Sequence, residues 1–471
     1  MTLTGLRRNL VALITPMPLA FIAFFFSWTL QVLTGSGAFG VVPYVFLLVT
    51  MMGIFARAMF RKRVRWGVHG MNNLDFFVLL FVLLSSVHAL LALAIGGYAF
   101  ADVIRILLIS VGSAWIYAYI SRYSKESGIR AIMVIIAIST LIVSVEWIYE
   151  TFSRLILHKV VDFQIKNADY LAMRKNTSIR AEQVSVSKFL RSFGLFDSYT
   201  TTGPMVALGA FAAPVLFADS ARATKIRVMA LYFVVLLIGM ATTALVSYIL
   251  ILPFLIAFMK EKWRISGILM RMAMAFLAFI IIASIALFLF QENPFANFII
   301  SNASLQLRIL TNLDDAQGIS WLQMYVRNLG WFYDFIAQKP IAVLFGEGVL
   351  NYGQVTYMRG SDVGLLEFVS AYGIPFSILF FTACLGAMRR AVKSLKRSEL
   401  TSVQKMYMLF SFGSMAFLML SFFHYDILFE KSVTAMFFLS LGLIRRYGYR
   451  TKSRYELSEE SAGGHLLPAS A

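Results

Sequence analysis

Apolar residues in this chain come in runs of about twenty, separated by short polar links. Each run is longer and more continuously apolar than the single buried face of a soluble helix. A bilayer core takes roughly 20 apolar residues per helix. The pattern therefore predicts about twelve spans, centred near residues 25, 48, 85, 110, 140, 209, 234, 252, 278, 372, 412 and 438. Two polar stretches, residues 151–201 and 291–361, break the rhythm. The predicted organisation is five spans in residues 1–150, a first large loop at 151–201 and four spans in 202–290. A second large loop follows at 291–361, then three spans in 362–446 and a disordered tail at 447–471.

Inside the second loop the period shifts to that of an amphipathic helix. In GISWLQMYVRNLGWFYDFIAQKP, the residues Trp321, Tyr325, Leu329, Phe332 and Ile336 share one side, and Gln323, Arg327, Asp334 and Gln338 the other. This predicts a helix lying flat on a membrane surface with Arg327 and Asp334 turned from lipid; a purely structural cap on the bundle is the competing reading. After Lys339-Pro340, Gly346 and Gly348 of FGEGV permit a sharp turn. The chain then enters GSDVGLLEFVSAYGIP.

Composition agrees with the pattern. With 59% apolar and 14% charged residues and a mean hydropathy of +0.76, a soluble domain of this size is excluded. The net charge of +18 reads as a topology signal and not as a nucleic-acid footprint. If both termini are cytoplasmic, about 28 basic and 8 acidic groups fall inside, against about 14 and 16 outside. Cys384 is the one cysteine, so no internal disulfide and no thiol metal site are expected. No P-loop, dinucleotide fingerprint or HExxH is present, and no cofactor is expected.

Polar residues at membrane depth are the first chemical candidates. His88 reads as an interhelical hydrogen-bonding group or a cavity-facing one. Arg105 follows Asp102 by three residues, which fits an ion pair or a substrate contact. At the end of the fifth span Glu146 and Glu150 lie one turn apart, with Trp147 and Tyr149 as expected interfacial anchors. The first large loop carries eight Lys or Arg against four Asp or Glu, on the side where positive charge is disfavoured; an anionic ligand would explain that, as would lipid head groups. Thr242, Thr243 and Ser247 at the tight junction of spans seven and eight are donors for a cavity wall or simple helix glue. Asp362 is placed to cap the tenth span, Glu367 lies more than a turn into it, and His424, Asp426 and Glu430 occupy the last outer link. Asp314-Asp315 reads as a solvated acidic pair.

An outer loop closing as RSFGLF before a span, together with a second loop reading RNLGW, KPIAVLFGEGV and GSDVGLLEFVSAYGIP, resembles the O-antigen polymerase and O-antigen ligase superfamily (Wzy-like). By architecture the resemblance covers most of the chain; by motif it covers residues 191–203 and 327–375. It implies a GT-C-like fold in the bacterial inner membrane with its active face periplasmic. The implied substrate is an undecaprenyl-pyrophosphate-linked oligosaccharide, and the implied product is O-antigen, capsular polysaccharide or exopolysaccharide. The family's recurring loop arginines map onto Arg191 and Arg327, with Arg308 as a further candidate. Ligases of the family carry a histidine before the span after the glycine turn; here the segment reads Arg359-Gly360-Ser361-Asp362, which favours polymerase. The turn that often reads Ser-Arg in relatives is Thr242-Thr243 here.

Glycosyl transfer from a lipid pyrophosphate builds negative charge on the leaving group, so fixed cations help most. Arginine suits the task because its planar fork grips phosphate oxygens and keeps its proton. Arg191, Arg327, Arg308 and Arg105 are the candidate pyrophosphate ligands. Asp362, Glu367 and His424 are the candidates for activating the acceptor hydroxyl. A metal-independent enzyme is expected. Its expected partners are membrane lipid and the lipid-linked oligosaccharide, with a chain-length regulator and a flippase of the same pathway as further candidates, and no nucleic acid. A ligase, a lipid-linked oligosaccharide flippase and a non-catalytic export scaffold are the rival readings. Against a transporter, the two halves show no similarity and the polar mass lies in the loops.

Overall fold

A computed structural model describes residues 13–34, 36–61, 71–95, 100–155, 195–196, 199–239, 241–259, 321–348, 364–423 and 430–449. The helices in chain order are α1 (Pro16–Thr34), α2 (Val42–Arg61), α3 (Asn73–Ala94), α4 (Phe100–Ala118), α5 (Glu126–Leu155), α6 (Tyr199–Ala212) and α7 (Arg222–Ile238). They continue with α8 (Thr242–Met259), α9 (Trp321–Gln338), α10 (Pro340–Phe345), α11 (Gly364–Leu395), α12 (Ser402–Ser421) and α13 (Lys431–Tyr447). No strand occurs among the described residues. Every predicted span centre except the one near residue 278, which lies outside the described residues, falls within a helix. Among the described residues seven helical stretches, including α1, α3, α11 and α12, are long and apolar enough to cross a membrane. As far as it is described the fold is all-helical, and the chain is a multi-pass membrane protein.

Small residues set how closely the helices approach. A Cβ on Gly209 of α6 would lie 1.7 Å from the Thr140 hydroxyl of α5, and one on Gly413 of α12 would lie 2.8 Å from the Phe211 ring. Only glycine fits at such crossings, which replace hydrophobic driving force with close packing inside lipid. Serine and threonine hydroxyls return to their own helices: Ser411 donates to the Tyr407 carbonyl and Thr140 to that of Ile136. Between α3 and α11, Phe77, Phe81, Phe368, Tyr372, Phe376 and Phe380 form an aromatic cluster, with centroids as close as 4.6 Å for Phe368 and Phe380.

One end of the bundle is held by charge. Asn72 caps α3 and Asp75 closes the capping box. The buried Asp75 carboxylate also takes Arg445 at 3.0 Å, Arg122 at 3.2 Å and the Tyr117 hydroxyl at 2.8 Å. Arg446 donates to the carbonyls of Ile120 and Ser124, Tyr447 bonds Glu126, and Arg397 reaches the Tyr447 and Gly448 carbonyls. The starts of α3 and α5 and the ends of α4, α11 and α13 therefore meet at one end. These are ends that the distribution of Lys and Arg assigns to a single side of the membrane. The opposite end carries the ends of α1 and α3 and the starts of α11 and α13.

Candidate functional site

At that opposite end the chain from Trp321 to Gly348 docks on α11. In α9, Phe335 is buried and Trp331 and Phe332 are half-buried, packed with Leu366 and with Ala342 and Val343 of α10. Val326, Leu329, Tyr333 and Ile336 stay exposed along one flank, while Asp334 and Gln338 occupy the other. The predicted apolar stripe is thus divided. Phe332 turns to the protein, whereas Leu329 and Ile336 face outward, as lipid-facing residues would.

Lys339 ends α9, Pro340 opens the short α10, and the glycine turn follows. Gly346 has φ 77° and ψ 172°, a region essentially closed to other residues. Its partner is a break in α11, where Gly373 has φ 78° and ψ 163° and Pro375 lacks an N–H. The break frees the Ser370 and Ala371 carbonyls from the helix ladder. They accept instead from the Glu347 and Gly348 amides, both at 2.8 Å. Backbone meets backbone here, because a Cβ on Gly346 would lie 2.2 Å from the Ala371 oxygen and one on Gly373 2.3 Å from the Leu344 oxygen.

This turn buries a carboxylate. Glu347 is 3% exposed, and its Oε1 accepts from Lys339 Nζ at 2.8 Å. Its Oε2 is buried without a hydrogen-bond partner. Beside the turn, a hydrogen bond links His88 of α3 to the Phe345 backbone. The His88 ring lies 5.9 Å from that of Tyr372, whose hydroxyl is 3.0 Å from Ser85 Oγ. One contiguous polar seam therefore runs from Ser85 through Tyr372, His88 and the turn to Glu347 and Lys339.

Of the sequence-predicted residues, Asp362, His424, Arg191 and Arg308 lie outside the described residues, as do Asp314, Asp315 and Asp426. Arg327 sits on α9, its side chain outside the described residues. Glu367 stands in the first turn of α11, which as described begins at Gly364. It is therefore placed at a helix N-terminus that favours a carboxylate, a turn shallower than the apolar run suggests. Arg105 is exposed and joined to Asp102 by no ion pair among the described residues. It lies instead, as Glu430 does, within electrostatic reach of the Tyr44 hydroxyl.

Other expectations are corrected or sharpened. Trp147 is no interfacial anchor: it is fully buried, seated on Gly239, where a Cβ would lie 2.3 Å from its ring. Tyr149 is exposed, as an anchor would be, and Glu150 is fully buried. The α7–α8 junction packs on the start of α6, since a Cβ on Gly203 would lie 2.5 Å from Ala241 Cβ. Leu195 and Phe196 of the RSFGLF motif dock on α1, where Thr29 Oγ1 donates to the Leu195 carbonyl at 3.1 Å and Phe25 meets Phe196.

Sequence reasoning missed Glu347 and Lys339 as a pair. The available signal was a glutamate held between two turn glycines, eight positions after a lysine that itself precedes proline. Among the described residues no cluster of three or more His, Cys, Asp or Glu is placed to hold a metal ion. Compared with known proteins, the chain matches no family model and no curated protein.

Proposed function

We propose that this chain is a membrane glycosyltransferase that polymerises undecaprenyl-pyrophosphate-linked repeat units at the periplasmic face of a bacterial inner membrane. It has about twelve spans in a GT-C-like arrangement, with both termini cytoplasmic. The observation that carries this reading is the docking of α9 and the FGEGV turn on the broken start of α11. That docking gathers Glu347, Lys339, His88 and Glu367 at the end of the bundle opposite the Asp75 cluster. A polar seam roofed by an amphipathic helix suits an amphiphilic substrate whose tail stays in lipid. Arg191 and Arg327, with Arg308 and Arg105 as further candidates, neutralise the leaving pyrophosphate. Asp362, Glu367 or His424 receives the acceptor proton. The reaction needs no metal.

The test is polymer synthesis by purified protein in nanodiscs supplied with lipid-linked repeat units. Chains lengthen in EDTA, and Arg191→Ala or Arg327→Ala abolishes polymer while the protein still inserts. A strict Mg²⁺ requirement refutes the metal-independent mechanism, and normal polymer from either variant refutes that arginine's role. In cells, a deletion strain accumulates outward-facing single repeats. Inward-facing repeats would assign a flippase, and polymer left off lipid A core would assign a ligase.

A further inference from the structure

Glu347 is built into the turn yet only half used. One oxygen is tied to Lys339 at 2.8 Å, while the other is buried with no hydrogen-bond partner in a residue 3% exposed. An ionised carboxylate offers only acceptor sites, and leaving one buried and unmet is costly. The turn's backbone is held on Ser370 and Ala371 by the Glu347 and Gly348 amides, and the carboxylate's tie to Lys339 uses only Oε1, so Oε2 takes part in neither contact.

We propose that Glu347 Oε2 accepts a hydrogen bond from a sugar hydroxyl of a bound glycolipid, with Lys339 fixing the carboxylate from the other side. This inference rests on the polymerase reading and adds to it a residue and a ligand chemistry. Three features select the ligand. A phosphate would be repelled by the carboxylate. A cation is already supplied by Lys339, so the remaining demand is for a neutral donor. Immediately before the turn, Ile341, Leu344 and Phe345 are exposed at 73%, 54% and 62%. A molecule seated there has an apolar tail against α10 and a hydroxylated head at Glu347.

Binding, not turnover, is the primary readout. Wild type, Glu347→Ala and Glu347→Gln are placed in nanodiscs and titrated, by native mass spectrometry, with glycolipid extracted from a strain deleted for this gene. A parallel titration uses undecaprenyl pyrophosphate without sugar. Glu347→Ala binds the glycolipid about 10- to 100-fold more weakly, the range for a lost hydrogen bond to a charged group, and binds bare undecaprenyl pyrophosphate as wild type does. Glu347→Gln keeps an acceptor oxygen and falls between, with amide exchange in residues 339–348 unchanged. Equal glycolipid affinity in all three proteins means that a water occupies Oε2, and it overturns the proposal. So does an equal loss toward both lipids, which marks a packing defect. Wild type that binds glycolipid through Glu347 but never extends it refutes the polymerase reading and leaves the sugar site standing.

Discussion

Replacing Gly373 by alanine tests how the site is held. At φ 78° and ψ 163° the residue occupies a region that costs a side chain about 1–3 kcal/mol. The new Cβ would also lie 2.3 Å from the Leu344 oxygen, a backbone atom that cannot swing aside. Relief requires the turn to lift from α11, which breaks the Glu347 and Gly348 amide bonds at about 1 kcal/mol each. Together these give a loss of about 3–5 kcal/mol in docking, a factor of hundreds or more in the undocked population. The assay is hydrogen–deuterium exchange of nanodisc-held protein, followed on peptides covering residues 339–348 and, as a control, 402–421. In Gly373→Ala the first exchanges at least 100-fold faster and the second is unchanged. Wild-type protection at Glu347 and Gly348 in the variant would refute the backbone-to-backbone docking.

Further outcomes are expected elsewhere. Asp75→Asn removes the shared charge of Arg122 and Arg445 but keeps a cap for α3, so it lowers stability by about 1–3 kcal/mol; an unchanged melting temperature in detergent would count against the cluster's role. Gly239→Val drives a side chain into the Trp147 ring and costs about 1–3 kcal/mol by overpacking, with Trp147→Ala in the same background recovering part of it in thermal melts. Lys339→Met strips the partner from a buried carboxylate and costs about 1–3 kcal/mol. Because Lys339 is the cation paired with Glu347 among the described residues and the carboxylate it meets is buried, raising salt to 0.5 M reproduces only part of that loss.

The helices were legible from hydropathy because a bilayer demands the same length and composition of every span. The gathering of basic helix ends was legible for a similar reason, since loops on one side keep their Lys and Arg. What local pattern could not supply was pairing. Trp147 near the end of α5 looks like an interfacial residue until Gly239, far along the chain, is seen to leave room for it. Gly346 and Gly348 announced a turn, but its dock depends on the break at Gly373 and Pro375, which sits unmarked within an apolar run. Glu347 drew no notice because a glutamate in a glycine turn is ordinarily solvated. Burial came from tertiary contact, which residue spacing does not encode.

The Asp75 cluster bears on how the protein is made. The aspartate meets Tyr117 after 42 further residues and Arg445 only after 370. At a synthesis rate of about 5–20 residues per second, the second guanidinium arrives roughly 20 to 70 s later. Until then the early hairpin relies on Arg122, Tyr117 and the Asn72 amide to offset a carboxylate leaving water. Ribosome stalling before Arg445 is translated should therefore leave the nascent hairpin open to quality-control proteases, whereas stalling just beyond it should not.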